Sequence, residues 1–383
     1  MGTAYIIDAV RTPVGRKNGA LAGVHPVELG AFPLRSLARR TGLDPALFED
    51  VVYGCVTPIG AQGANIGRLC ALEAGFPINV TGVQLNRMCG SGQQAIHFAA
   101  MGVASGFQDL VIAGGVESMS RIPMGSDMFL NGAMAPWSRE LSWKYTIVPQ
   151  GQSSDLIARK WSLKREDLDA YALRSHQRAA AALDAGFQDA EFEPVVIDGK
   201  TLLARDEGVR RDTTIERLAS LKPAFAEDGF TTAGTSSQIS DGAAAVLLAS
   251  EAAVKKYGLK PRARVVAMTT AGVDPTIMLT GPIPASQMAL AKAGLRMRDI
   301  DAVEINEAFA SVVLAATRDL DLDSSRTNVF GGAIANGHPL GASGAKLMTT
   351  LLNVLETRGG RYGLQTMCIG FGQATATIID TEV

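Results

Sequence analysis

The chain has 383 residues, of which 47% are hydrophobic and 19% are charged, so it is long enough for two or three core-forming units. A formal net charge of −2 excludes a general attraction to nucleic acid, and no apolar stretch approaches the about 18 residues of a membrane-spanning helix. The four cysteines lack metal-ligand spacing, and the N-terminal residues lack the pattern of a basic, cleavable leader. These features predict a reduced, cytoplasmic protein without a metal site.

The predicted elements repeat one pattern twice along the chain. After an N-terminal strand, the first copy gives strand, helix and strand at residues 50–54, 90–104 and 111–115. The second copy gives the same order with similar spacing at residues 302–306, 342–355 and 366–370. This repetition predicts a duplicated α/β unit.

A different kind of segment separates the two copies. It contains all three tryptophans and many charges, and a long amphipathic helix is predicted from Lys164 past Ala182, with Ser162 as its cap. Residues 243–249 then form another buried apolar run, which returns the chain to the first copy. The segment between the copies is therefore predicted to be an insertion with its own helical structure.

Cys89 lies where a tight turn meets a helical pattern. Gly90 and Gly92 permit the turn, and the apolar spacing that follows predicts a helix. A thiol at a helix N-terminus lies near unpaired N–H groups and the positive end of the helix dipole, which favour the thiolate, a nucleophile for acyl groups. A free cysteine is also a common small buried hydrophobe, so this motif alone leaves both readings open.

Three downstream motifs favour the catalytic reading. They are Asn-Glu-Ala-Phe-Ala at residues 306–310, Gly-His-Pro-Leu-Gly-Ala-Ser-Gly-Ala at 337–345 and Cys-Ile-Gly-Phe-Gly at 368–372. Together with the Cys89 motif, and in this order, they resemble the thiolase family from end to end of the chain. The resemblance implies a duplicated five-layer αβαβα fold with an inserted loop domain that binds substrate. The boundaries expected are 1–117 plus about 243–269 for the N-terminal half, 118–242 for the insertion and 270–383 for the C-terminal half.

The resemblance also implies roles for the residues in these motifs. Cys89 would carry the acyl group, His338 would activate the Cys89 thiol, and Cys368 would move the proton at C2 of the acetyl unit. The enolate oxygen would be held by His338 and a water fixed by Asn306. The N–H groups of Cys89 and Gly370 would hold the other oxyanion.

No metal, flavin or nicotinamide cofactor is expected, because CoA and its acyl thioesters are substrates in this family. Arg210 aligns with an arginine that contacts CoA, Ser237 with a serine that contacts pantetheine, and Phe225 lies near the adenine end. An exposed basic turn is an equally simple reading of Arg210 and Arg211.

Positions at which the chain departs from the family pattern bear on which kind of thiolase it resembles. Gln150 stands where small biosynthetic thiolases carry methionine, and Phe371 stands where many relatives carry glycine. Phe371 would narrow or reshape the nearby cavity. The change at Gln150, with loss of the histidine that precedes the methionine in those relatives, favours a degradative 3-ketoacyl-CoA thiolase that accepts longer or bulkier acyl groups. Four methionines are candidates to line the acyl pocket or an oligomer contact: Met119, Met124, Met128 and Met134.

The alternatives are a biosynthetic acetyl-CoA C-acetyltransferase that makes acetoacetyl-CoA and, more remotely, a non-catalytic thiolase-like lipid-binding protein. A ketosynthase-like condensing enzyme would lack a second cysteine, so Cys368 argues against it. A homodimer or homotetramer is expected, with residues 119–145 as a candidate assembly loop.

Overall fold

A computed structural model describes residues 2–130, 133–134 and 136–383. The strands in these ranges are β1 (Ala4–Arg11), β2 (Gly15–Arg16), β3 (Asp50–Gly54), β4 (Thr81–Leu85), β5 (Leu110–Ser118), β6 (Phe129–Leu130), β7 (Ala133–Met134), β8 (Val195–Ile197), β9 (Lys200–Leu203), β10 (Ser240–Ser250), β11 (Ala263–Gly272), β12 (Ala302–Ile305), β13 (Tyr362–Ile369) and β14 (Gln373–Asp380).

The helices in the same ranges are α1 (Pro26–Thr41), α2 (Ile66–Glu73), α3 (Ser91–Ser105), α4 (Arg139–Lys144), α5 (Gln150–Lys160), α6 (Arg165–Asp184), α7 (Ile215–Ala219), α8 (Glu251–Tyr257), α9 (Pro282–Ala293), α10 (Ala310–Leu320), α11 (Ala333–Asn336) and α12 (Ser343–Arg358). Each strand and helix of the predicted repeat is present. No helix within the described ranges is long and apolar enough to cross a membrane.

The strand pairing repeats in the two copies. In the first, β3 runs parallel to β4 and β5, β5 is antiparallel to β10, and β10 is antiparallel to β1. In the second, β12 is parallel to β13, which is antiparallel to β14, and β14 is antiparallel to β11. The copies meet where Tyr5 of β1 pairs with Arg264 of β11. The predicted duplication is confirmed by this register.

Three helix layers enclose the two sheet regions. Apolar side chains of α1 and α2 pack in one core cluster, those of α9 and α10 in a second, and those of α3 and α12 in a third between them. The fold is thus the αβαβα arrangement implied by the resemblance. The domain boundaries remain a prediction, and the one near residue 269 falls inside β11, which pairs with β14 along its length.

The predicted long helix of the inserted segment is α6, but Ser162 does not cap it. Ser162 has a φ of 50°, and the cap is instead Lys164, whose backbone N–H donates to the Asp167 carboxylate at 2.8 Å. A buried ion triad connects this segment to β1. Arg11 donates to Glu191 at 2.7 Å and to Asp206 at 2.8 Å, with all three side chains at most 1% exposed.

Glycines allow the N-termini of α3 and α12 to touch. An ideal Cβ on Gly344 would lie 1.9 Å from the backbone nitrogen of Gln93, and one on Gly92 would lie 2.8 Å from the Gly341 carbonyl oxygen. Both distances are shorter than any real Cβ contact, so only glycine fits at these two positions. The chain segments just before the two helices, which carry Cys89 and His338, are thereby brought together.

Replacing Gly344 by alanine is expected to lower the free energy of unfolding by about 3 kcal/mol or more, because the added methyl group meets backbone that cannot yield. Gly23→Ala is the matched control, since a Cβ there meets nothing within 4 Å, and its effect should stay within about 0.5 kcal/mol. Chemical denaturation of both variants makes the comparison. Equal stability of the two would contradict this packing.

Candidate active site

Cys89 sits in a strained turn directly before α3. Met88 has a φ of 45°, which is unusual for a residue other than glycine. Two bonds hold the turn: the Met88 N–H donates to the Asn86 side chain at 2.8 Å, and the Ser91 hydroxyl donates to the Met88 carbonyl at 2.6 Å. The turn therefore fixes the position of the Cys89 backbone, from which the thiol projects.

The Cys89 thiol is 5% exposed and packs with Val56, Met119 and Leu340. Burial raises the pKa of Cys89 to about 11, while hydrogen bonds from the Gly370 N–H, the Gln150 side chain and the Cys89 N–H itself lower it. The expectation that the helix N-terminus favours the thiolate in the resting site is wrong, because loss of solvation outweighs the donors. The resting group is a neutral thiol, which needs a base.

His338 is buried and has its two ring nitrogens in different roles. Its Nδ1 lies 2.5 Å from the Ser343 hydroxyl, which donates its own proton to the Pro339 carbonyl at 2.8 Å. Ser343 must therefore accept a proton from Nδ1, which leaves a lone pair on Nε2. The Asn306 side-chain nitrogen lies 3.2 Å from this Nε2. His338 is thus held as the tautomer that can accept a proton at Nε2.

Burial lowers the pKa of His338 to about 3, and the charge of Lys346 adds to the effect. The imidazole is consequently neutral at physiological pH. A neutral base and a neutral thiol fit a site in which charges appear only when a proton is transferred between them.

Cys368 lies near the end of β13 and is fully buried. Burial raises the pKa of Cys368, and a charge on Cys89 would raise it further, whereas the N–H groups of Cys368 and Ala308 lower it. The influence of a Cys89 charge on the pKa of Cys368 places both thiols in the same buried region. A second thiol with its own donors is therefore present beside the first.

The Asn306 turn is held by a carboxylate that the sequence did not single out. Glu307 accepts hydrogen bonds from Tyr171 at 2.7 Å, Ser175 at 2.6 Å and the Ile334 N–H at 3.1 Å. These partners come from α6 and α11, so the inserted segment helps to place Asn306.

Glu117, at the end of β5, plays a similar part for the His338 loop. Its buried carboxylate accepts from the Val56 N–H at 2.8 Å, the Thr57 N–H at 3.1 Å and the Gly341 N–H at 2.9 Å. It therefore ties the loop after His338 to the half that carries Cys89. Neither Glu117 nor Ser343 was predicted as functional, and a polar residue within an otherwise apolar strand was the available signal for Glu117.

The residues predicted to contact CoA lie along the inserted segment. The Ser237 N–H donates to the Ala308 carbonyl at 2.9 Å, and the Phe225 ring meets Phe309 edge-on at 5.9 Å. Both therefore border the Asn306–Ala310 segment. Arg210 lies beside α6 with its N–H on His176 at 3.1 Å, and both line a cavity of about 250 Å³.

The four methionines predicted to line the acyl pocket or an oligomer contact lie in different surroundings. Met119 packs with Cys89, Met124 is 55% exposed, Met128 is half-buried and the side chain of Met134 lies outside the described residues. Arg211 pairs with Asp184 through two bonds of 2.7 Å at the surface. Within the described ranges, no three His, Cys, Asp or Glu side chains are grouped as a metal site would need.

Ser343→Ala is expected to lower kcat for cleavage of acetoacetyl-CoA by about tenfold or more, because Nδ1 loses the acceptor that fixes the tautomer. Ser286→Ala is the control: this buried hydroxyl has no partner among the described residues, and the variant should keep wild-type kcat. The test is steady-state kinetics of both variants, after melting temperatures have shown that each is as stable as the wild type. An unchanged kcat in Ser343→Ala would remove the role assigned to this bond.

Comparison with known proteins agrees over the whole chain. The sequence models "Thiolase, N-terminal domain" and "Thiolase, C-terminal domain" match residues 4–252 and 259–381. The steroid 3-ketoacyl-CoA thiolase FadA6 of Mycobacterium tuberculosis is 51% identical, over 99% of this chain and 94% of that protein. A beta-ketoadipyl-CoA thiolase of Acinetobacter baylyi is 45% identical, over 99% of this chain and all of that protein.

A solved structure gives the same result for the fold. The acetyl-CoA acetyltransferase of Bacillus anthracis superposes with a TM-score of 0.91 at 38% identity, covering 99% of each chain. Matching sequence models over both halves, full-length relatives and the shared architecture together show that this chain belongs to the thiolase family.

Proposed function

We propose that this enzyme cleaves 3-ketoacyl-CoA with a second CoA, giving acetyl-CoA and an acyl-CoA shortened by two carbons. The observation that carries the proposal is a buried site containing two thiols, a neutral histidine whose unprotonated Nε2 accepts from the Asn306 amide, and N–H donors that lower the pKa of the first thiol. These are the groups that a reversible Claisen cleavage through an acyl-enzyme requires.

In the first half-reaction, His338 Nε2 takes the Cys89 proton and the sulfur attacks the C3 carbonyl. The new C–S bond sends the carbonyl electron pair to oxygen, where the N–H groups of Cys89 and Gly370 hold it. Removing one such donor typically costs about 3–4 kcal/mol of transition-state stabilisation. Protonated His338, together with a water on Asn306, then holds the enolate oxygen of the departing acetyl unit.

Collapse of the oxyanion breaks the C2–C3 bond, and its electron pair becomes the enolate of acetyl-CoA. Cys368 gives its proton to C2, which completes acetyl-CoA and leaves a Cys368 thiolate. In the second half-reaction this thiolate takes the proton of the incoming CoA thiol. The CoA sulfur attacks the thioester, the bond to Cys89 breaks, and Cys89 recovers its proton from His338.

The chain supplies every group in these steps, so the proposal includes no resident cofactor and treats CoA as substrate. Arg210, Ser237 and Phe225 are proposed to hold CoA along the inserted segment. The support is that Ser237 and Phe225 border the Asn306 turn, while Arg210 lines a cavity beside α6.

The proposed physiological substrates carry acyl groups bulkier than acetoacetyl, and the proposed direction is degradative. Phe371 follows the Gly370 donor with a φ of 63°, and its ring meets Trp137 at 5.2 Å, edge to face. An aromatic pair held at the cost of a left-handed backbone suggests a specific apolar wall. The 51% identical relative is named for steroid substrates.

A homodimer or homotetramer is proposed from the exposed sheet edge. β4 is the outer strand of its side of the sheet, Val83 on it is 44% exposed, and Ile78 just before it is 86% exposed. An apolar edge strand with unpaired backbone groups is a site for pairing with a second chain. Trp143 in the 119–145 segment is 73% exposed and would suit a further contact between dimers. The cytoplasmic location remains a prediction from the sequence.

The test is CoA-dependent thiolysis of 3-ketoacyl-CoA substrates of increasing chain length and bulk, followed by loss of enolate absorbance, with Cys89→Ala as the blank. We expect kcat/KM to rise beyond acetoacetyl-CoA and activity to vanish in the variant. Activity confined to acetoacetyl-CoA would assign the biosynthetic acetyl-CoA C-acetyltransferase class, which the structural neighbour's name supports. Binding of CoA without any turnover would favour the lipid-binding alternative.

A further inference from the structure

Gln150, the first residue of α5, acts on the nucleophile Cys89 from an element that carries none of the predicted catalytic residues. Its side-chain amide is one of three N–H donors that lower the pKa of the Cys89 thiol, together with the N–H groups of Gly370 and Cys89. An ideal Cβ on Gly370 would lie 3.0 Å from the Gln150 side-chain nitrogen, so the amide lies directly against the Gly370 donor. The Gln150 amide therefore lies beside the backbone of Gly370, in the part of the site that acts on the Cys89 thiol.

The start of α5 is held rigidly, so this donor is fixed in place. The Phe225 ring packs so tightly that a Cβ on Gly151 would lie 2.0 Å from it. The Ser153 hydroxyl donates to the Thr276 carbonyl at 2.7 Å, and the Ser154 hydroxyl lies 2.7 Å from that of Ser311. These contacts tie the helix to both the inserted segment and the C-terminal half, and they preorganise the amide.

We propose that Gln150 is a catalytic residue of this enzyme, whose side-chain amide stabilises the Cys89 thiolate before acylation and the same sulfur as it leaves during deacylation. An amide N–H favours a charged sulfur over a neutral thiol, because hydrogen bonds to an ionised acceptor are the stronger ones. The inference deepens the proposed function by adding a donor that the backbone does not supply. The residue thus has an electrostatic role, beyond any effect of its shape on the acyl pocket.

The size of the effect follows from two opposing trends. Each unit by which the donor lowers the thiol pKa raises the thiolate population about tenfold at pH values below that pKa. The nucleophilicity of the thiolate falls over the same unit by about threefold, from a Brønsted slope of about 0.4–0.5. The net gain is therefore about threefold in rate for each unit of pKa.

Alkylation of Cys89 by iodoacetamide between pH 7 and 9 tests the proposal without depending on turnover. Gln150→Met removes the donor and should slow alkylation at every pH in this range by about threefold or more. Gln150→Glu keeps the shape but places a like charge beside the sulfur, so it should be slower still. Peptide mass spectrometry confirms that Cys89 is the modified residue, and melting temperatures confirm that both variants are folded.

Gln152→Met is the matched control, since Gln152 lies on the same turn of α5 and its amide donates to the Phe225 carbonyl at 3.4 Å, not to the sulfur. Its alkylation rate should equal that of the wild type. Equal rates for Gln150→Glu and the wild type would overturn the proposal, because a role through shape alone predicts that result. So would an unchanged rate in Gln150→Met.

The same experiment separates this inference from the proposed function. If the wild type performs thiolysis but neither Gln150 variant changes the alkylation rate, the inference fails alone. If alkylation follows the order Gln, Met, Glu while the wild type cleaves no 3-ketoacyl-CoA, the inference stands and the proposed function fails.

Discussion

The contact between the N-termini of α3 and α12 is the constraint on which the site depends. Because Gly92 and Gly344 lack side chains, the two helices meet backbone to backbone at the centre of the molecule. Each helix is preceded by a turn that carries a reactive group, Cys89 on one and His338 on the other. The duplicated fold thus produces a mixed site, in which each half contributes what the other lacks. The Glu117 carboxylate reinforces the junction by binding the Gly341 N–H across it.

Burial determines the resting electrostatics of this junction. The site holds a thiol whose pKa is raised to about 11 and an imidazole whose pKa is lowered to about 3, so both are neutral at rest. Loss of solvation disfavours each charged form, and the surrounding donors offset this only when charge develops on sulfur or oxygen. By accepting a hydrogen bond from Nδ1, the Ser343 hydroxyl keeps the lone pair of His338 on Nε2.

Much of the fold could be predicted from the sequence, because its signals are local. Apolar periodicity located the elements of both copies, and four short motifs carried the family resemblance. The net pKa of Cys89 could not be predicted, since it depends on burial by segments far away in the chain. The sequence predicts Ser162 as the cap of α6, but the helix begins after Lys164, whose N–H is satisfied by the Asp167 side chain and needs no serine. Glu117 acts through hydrogen bonds to residues far away in the chain, for which the sequence has no local signature. Ser343 bonds to His338 five residues before it, but that bond depends on the turn between them, which the sequence does not show.

The central claim is that Cys89, and not the neighbouring Cys368, carries the acyl group. The most direct measurement is mass spectrometry of the enzyme mixed with a 3-ketoacyl-CoA in the absence of free CoA, followed by peptide mapping. We predict one acyl group, shorter than the substrate by two carbons, on the peptide containing Cys89, and its loss when CoA is added. An acyl group on Cys368, or thiolysis that proceeds without any adduct on Cys89, would contradict the account.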